Sequence, residues 1–365
     1  MACGGRPCQV APTGWTRARH KKIRPVLTTP GGGGTEGGSA ERVAHCTAAG
    51  TDCKRNPVAG GAQGVAAVSA TTADAAMKTE VTPEMVREYQ ENGFIRVDDF
   101  LDAAELEQWR LALEEAVEQR GGVGAGGLKL PTVDDAHPVD ETAWTDTQPA
   151  AAGPYTQRLQ LWRTHEHFRK VFLDPKLGEM VTKLSCQKGI RIWHDQTLIK
   201  EPWAPQSTFH LDNTLWSFHH HESISIWVAL DDVTLQNGCM NFIPGSHREA
   251  VSHLQDYERT PTGHAQRPGD GTFFDKYPEW AAREAVPVEM KAGSCTFHNG
   301  LTLHGAGYNM TPGRRRAMTC AYMPDGAIFN GQQNVLPKTY FESLELGQPL
   351  NNDDLNPLVY STPRM

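Results

Sequence analysis

The spacing of apolar residues divides the chain into a stretch with no period, a stretch with a helical period and a stretch with the two-residue period of strands. Residues 1–76 hold 28 Gly plus Ala, including the run Gly31 to Gly34, and show neither period. So little apolar surface cannot offset the entropy of ordering, and a disordered leader is expected there. Thr82-Pro83 then supplies an N-cap and a first-turn proline, and Gly93 stops the helix they open. Phe94 to Val97 follows as a short strand. Asp102 and Glu105 have the spacing of a capping box, and the helix behind them aligns Leu106, Trp109, Leu113 and Val117 on one face, which should cover a sheet. After a flexible break at Gly121 to Gly127 and a polar loop over 128–153, residues 157–185 read as helical, restarting at Asp174-Pro175.

From Ile190 onward the strand period dominates. Gln206 to His210, Cys295 to Phe297 and Ala317 to Met323 read as strands. In Ser223 to Leu230, Ile224, Ile226, Val228 and Leu230 alternate with Ser223, Ser225, Trp227 and Ala229. Helices first and strands afterwards give an α+β class. The expected organisation is a leader over 1–76 and one domain over 77–365.

Charge separates the same two parts. The leader carries nine Lys/Arg against four Asp/Glu, with no acid before Glu36, whereas 77–365 carries 26 against 39, a formal charge of −13. A basic leader fits an organellar targeting segment, or else an over-extended start with Met77 as the true first residue. The acidic body argues against a nucleic-acid partner, because phosphate contacts need clustered cations. No apolar run reaches the roughly eighteen residues of a membrane span. Cys3, Cys8, Cys46 and Cys53 lie in the leader and Cys186, Cys239, Cys295 and Cys320 in apolar strand contexts; without a C-x-x-C, a reducing compartment is expected, the cytosol first. The terminal Pro363-Arg364-Met365 is a distant variant of the Ser-Lys-Leu peroxisomal address.

The candidate chemistry sits among the strands. His210 and Asp212 are two apart at a strand end, where alternation puts both side chains on one face, and His304 offers a distant third donor. Two imidazoles and a carboxylate on one face of an octahedral ion leave three positions open, the arrangement of non-haem Fe(II) oxygenases. Arg315, eleven residues after His304, brings a guanidinium fork suited to a carboxylate.

With Thr208-Phe209-His210-Leu211-Asp212, Trp227 to Thr234, Asn237-Gly238-Cys239, Pro244-Gly245-Ser246-His247 and His304 to Arg315, the chain resembles the phytanoyl-CoA dioxygenase family of Fe(II)/2-oxoglutarate oxygenases over about Thr82 to Pro324. The resemblance implies a jelly-roll (double-stranded β-helix) core with flanking N-terminal helices. It implies His210, Asp212 and His304 as iron ligands and catalytic centre, Arg315 on the far carboxylate of 2-oxoglutarate, and Trp227 as a wall of the co-substrate pocket. Dioxygen is then the second co-substrate, succinate and carbon dioxide are released, and an unactivated C–H bond of a small metabolite or lipid is hydroxylated. Asp212 is present where related halogenases carry a small residue, which points to hydroxylation ahead of desaturation or ring formation.

Other residues have two readings. Gln196 and Lys200 precede the first ligand on a neighbouring strand and could touch 2-oxoglutarate or substrate, or serve strand pairing alone. His219-His220-His221 cannot all face one ion, so a solvated loop is expected. His247 fits a turn, His298 and Asn309 could orient the site, and Trp193, Trp203 and Trp216 read as core or pocket wall. The segment Arg248 to Ala285 reads as an insertion or lid. A zinc hydrolase could use the same three donors but has no use for Arg315; a catalytically silent jelly-roll that binds a ligand is the other alternative.

Overall fold

The computed structural model describes residues 77–119, 132–133, 137–138, 155–250, 274 and 277–363. The leader, most of the 128–153 loop and much of the 248–285 segment lie outside them.

Local signals set the first elements. Thr82 Oγ1 accepts the Met85 N–H at 3.2 Å, α1 runs Pro83–Asn92, and Gly93 leaves it at φ +81°. A side chain at Gly93 would also collide with His247 and Thr302, so conformation and space both require glycine. After β1 (Phe94–Val97), the capping box closes reciprocally: Asp102 N–H donates to Glu105 Oε2 at 3.1 Å and Glu105 N–H to Asp102 Oδ1 at 2.8 Å, opening α2 (Ala103–Gln119). Within the stretch read as loop, β2 (Thr132–Val133) pairs with β3 (His137–Pro138).

The helical reading of 157–185 needs one correction. Tyr155–Leu159 is a strand, β4, and helices begin only at α3 (Leu161–Thr164), α4 (Glu166–Phe172) and α5 (Pro175–Ser185). β4 pairs along the second half of β5 (Gly189–Lys200), whose free edge supplies hydrogen-bond partners that local propensity does not reveal. The strands that follow are β6 (Ser207–His210), β7 (Ile224–Ala229), β8 (Met240–Phe242), β9 (Val286–Val288), β10 (Cys295–Asn299), β11 (His304–Ala306), β12 (Ala317–Pro324) and β13 (Leu358–Ser361). Two short helices, α6 (Pro278–Ala281) and α7 (Lys338–Ser343), complete the described elements.

The larger sheet has the order β1-β10-β7-β12-β5-β13, with β4 also on β5, and the smaller sheet β6-β11-β8-β9. Every pairing is antiparallel. Taken in chain order, β5, β7, β10 and β12 lie in the larger sheet and β6, β8, β9 and β11 in the smaller, so the chain winds between two facing sheets as a jelly roll.

All six residues of β7 are buried, so its alternation sorts two covered faces and not a covered face from a wet one. Ile224, Ile226 and Val228 join Phe297, Met318, Cys320 and Tyr322 under the helices, packed with Trp109, Leu113, Phe168 and Phe172. Trp227 and Ala229 turn the other way, toward Met240, Phe242 and Ala306 of the smaller sheet. That inter-sheet space holds the site. Among the described residues, no helix is long and apolar enough to cross a membrane.

Candidate active site

His210 ends β6, His304 begins β11, and the two face each other across the smaller sheet as register partners with ring centroids 4.4 Å apart. β6 stops at His210, so Asp212 is not on the strand as the two-residue spacing suggested; it opens a 3-10 turn, Asp212–Leu215. The intervening Leu211 keeps an extended backbone (φ −111°, ψ 122°), which is why the side-chain alternation persists one residue beyond the strand. One donor atom from each of His210, Asp212 and His304 lies within 4.8 Å of the others, and this is the one such group among the described residues.

The donors are oriented from behind. His210 Nδ1 faces the Thr208 carbonyl and His304 Nδ1 the Thr302 carbonyl, each at 2.8 Å. An Nδ1–H donated to a carbonyl leaves the Nε2 lone pair free for an ion. Asp212 Oδ1 lies 3.4 Å from His210 Nε2 and 3.7 Å from His304 Nε2. Oδ2 instead accepts from Ser225 Oγ and His298 Nε2, both at 3.2 Å. Burial alone would raise the Asp212 carboxyl, but His304, His210 and His298 together hold it well below the usual carboxylate range. Burial and the neighbouring His210 push His304 down to about 3. Burial opposes charging of His210 as well, and there the hydrogen bond to Asp212 prevails and raises it. An ionised carboxylate beside an imidazole kept neutral suits a divalent cation.

Farther along the interior lies a cationic end. Lys200 and Arg315 exchange backbone hydrogen bonds (Lys200 N–H to Arg315 O 2.9 Å, Arg315 N–H to Lys200 O 2.8 Å). Arg315 is 1% exposed, its Cζ lies 5.2 Å from the centroid of the Trp227 ring, and its Nε and Nη1 have no hydrogen-bond partner. Burial brings the guanidinium down to about 10. Burial and the charge of Arg315 bring Lys200 down to about 7, and burial pushes the Tyr155 phenol up to about 12. Lys200 Nζ donates to the Pro205 carbonyl and lies over the Tyr155 ring. Trp227 Nε1 and Thr296 Oγ1 are buried without partners too. Unpaired buried donors around a cation are what an oxygen-rich anion would satisfy.

Gln196 is in register with Thr319, which is in turn opposite Trp227, so it lies on the row that crosses the interior, where its Oε1 accepts from Gln157 of β4. Asn309 is away from the three donors: its Nδ2 donates to the Lys200, Glu201 and Gly313 carbonyls and pins the loop that delivers Arg315. His247 Nε2 meets the Gln90 carbonyl at 3.2 Å, a turn-to-helix contact. His219, His220 and His221 stay outside the donor group; His220 and His221 stack with centroids 4.9 Å apart. Trp193 and Trp216 are buried in one cluster, but Trp203 is 66% exposed at φ +65° and is neither core nor pocket wall. Cys186 is an exposed helix cap, not a strand residue. Sequence reasoning passed over Ser225, His194, Thr296 and Tyr155. The available signal was parity: Ser225 is two residues from Trp227 and His194 two from Gln196, so each pair shares a face.

The chain is similar to known proteins. Phytanoyl-CoA dioxygenase 1 of Oryza sativa subsp. japonica is 30% identical over 277 residues, covering 71% of this chain and 94% of the rice protein. The phytanoyl-CoA dioxygenase domain-containing protein 1 of Mus musculus is 29% identical over 164 residues, 44% of this chain; the match spans about half of the mouse protein (54%). Among solved structures, the non-heme alpha ketoglutarate dependent carbocyclase SnoK from nogalamycin biosynthesis superimposes with TM-score 0.59 at 25% identity, covering 77% of this chain and 98% of SnoK. The profile of the phytanoyl-CoA dioxygenase (PhyH) family matches residues 89–317, well over half of the chain and every residue of the site described above, and the chain belongs to that family.

Proposed function

We propose that this protein is an iron(II)- and 2-oxoglutarate-dependent oxygenase in which His210, Asp212 and His304 hold the metal and Arg315 holds the far carboxylate of 2-oxoglutarate. The observation that carries the reading is Arg315, a buried cation with two unpaired donors in the same inter-sheet space as a His-Asp-His donor group. A zinc hydrolase has no need of it. Charge supports the assignment: a divalent ion beside one ionised Asp212 leaves one positive charge, and Arg315 adds a second, together matching a dianionic dicarboxylate. Trp227 gives the co-substrate a flat wall and, with Thr296, further donors.

Iron(II) with 2-oxoglutarate and dioxygen supplies the oxidising power, and succinate and carbon dioxide leave. The chain's own work is orientation and exclusion of water. Thr208 and Thr302 fix the two imidazoles, Asn309 fixes the Arg315 loop, and the aromatic rings of Phe242 and Trp227 keep the interior dry. We assign hydroxylation of a C–H bond in a small molecule as the outcome. Ring formation is the second reading, favoured by the similarity to a carbocyclase at 25% identity.

The test is anaerobic loading with iron(II) and 2-oxoglutarate, admission of oxygen, and measurement of succinate, followed by a mass-spectrometric screen of metabolites. A gain of one oxygen supports hydroxylation and a loss of two hydrogens supports ring formation. Absence of both metal binding and oxygen-dependent succinate would overturn the proposal.

A further inference from the structure

The two oxygens of Asp212 have different surroundings. Oδ1 faces the imidazoles of His210 and His304, while Oδ2 takes hydrogen bonds from Ser225 Oγ and His298 Nε2 at 3.2 Å each. The two donors sit opposite each other on neighbouring strands, His298 on β10 and Ser225 on β7, in the middle of the larger sheet. We propose that Ser225 and His298 are positioning residues that reserve Oδ2, hold Asp212 as a one-oxygen ligand and so keep three positions of the bound ion open.

This inference rests on the metal-centre reading above, and its physical basis is geometric. A carboxylate free to turn can chelate through both oxygens, which would occupy one of the positions that a bidentate co-substrate and dioxygen require. Two donors fixed in one sheet prevent that rotation at no cost in flexibility. His298 has no competing task. Its side chain is 3% exposed, its ring is flanked by Phe242 (5.5 Å between centroids) and His304 (4.6 Å), and its Nδ1 is buried without a hydrogen-bond partner. With its proton on Nε2 the ring donates to Asp212 Oδ2. Ser225 is equally committed: it lies on the same face of β7 as Trp227, where an apolar residue would fit the packing but leave Oδ2 with one donor fewer.

Cobalt(II) titration followed by its visible spectrum, with a subsequent anaerobic 2-oxoglutarate titration of the cobalt-loaded protein, tests the idea without turnover. His298→Leu removes the donor and keeps bulk; metal affinity should fall about 10- to 100-fold, the usual consequence of losing such a partner. His298→Gln restores an N–H donor and should recover most of that loss, and Ser225→Ala should weaken binding by about 3- to 10-fold, the worth of one hydrogen bond. Thermal unfolding of the metal-free variants should stay near that of the parent. A parent protein that takes up no cobalt overturns the metal-centre reading itself. A parent that binds, with His298→Leu and Ser225→Ala binding equally well and with unchanged spectra, overturns the positioning role alone. Equal losses in His298→Leu and His298→Gln would show packing and not donation, and overturn it too. If His298→Leu does not fold, Ser225→Ala and His298→Gln decide the matter by the same criteria.

Discussion

The two faces of the larger sheet are built from the same strands and hold opposite kinds of surface. On the outer face, Ile224, Ile226, Val228, Phe297, Met318 and Tyr322 pack against helix residues such as Trp109 and Phe168; even the polar intruder Asp195 is engaged, accepting the Trp162 N–H at 3.1 Å. On the inner face, Trp227 Nε1, Thr296 Oγ1, His194 Nδ1 and two donors of Arg315 have no partner. Unpaired buried polar groups cost stability unless something binds them, and these atoms share the interior with the His-Asp-His donor group. The outer face makes the sheet; the inner face uses it.

The comparison predicts separable losses. The largest is at the carboxylate: Asp212→Ala should weaken iron(II) or cobalt(II) binding by at least about 100-fold and abolish succinate formation, while the outer-face core stays intact. Metal titration and circular dichroism check both halves, and a variant that still turned over with metal would remove Asp212 from the centre. Next is the outer face. Phe168 is fully buried between Trp109 and Phe172, so Phe168→Ala should cost about 3–5 kcal/mol in urea unfolding, with 2-oxoglutarate affinity of the folded fraction unchanged. Loss of co-substrate affinity there would mean that the faces are not independent.

Arg315→Met should give the opposite sign. Removing a bidentate charge-assisted contact should weaken 2-oxoglutarate by about 10- to 100-fold and leave metal affinity within a few-fold, yet replacing a buried, partly unpaired cation with an apolar chain should raise the melting temperature of the metal-free protein. A fall in both quantities would assign Arg315 a structural role. The last effect, and the most gradual, is on pH dependence. Burial lowers His304 to about 3 and His194 to about 4 from an ordinary 6.5. Between those values the unfolded chain takes up protons that the folded chain refuses. Stability of the metal-free protein should therefore fall as pH drops from 6.5 toward 4, by at most about 1.4 kcal/mol per unit for each histidine, and be unaffected by these groups above 6.5. Urea titrations at several pH values measure the slope, and His194→Gln should flatten it.

Much of this was legible because it is local. The Thr82 and Asp102 caps, the stop at Gly93 and the alternation of β7 each depend on residues a few positions apart, and the chain around them folds as those signals dictate. The strand β4 was not legible, since Tyr155–Leu159 is a strand only because β5 offers it an edge. Nor was the exposure of Trp203, whose left-handed backbone no composition rule anticipates.

The sequence by itself determined the donor types, the parity that puts Asp212 on the same side as His210, and the family to which the pattern belongs. Only the tertiary structure decided that His304 comes opposite His210, that Ser225 and His298 take one Asp212 oxygen and leave the other, and that Lys200 and Arg315 meet at a buried end of the same interior. The reason is range. Capping and alternation act through the backbone of neighbouring residues, whereas the register of strands distant in sequence is fixed by closure of two sheets around a shared core, and the site is assembled from that register.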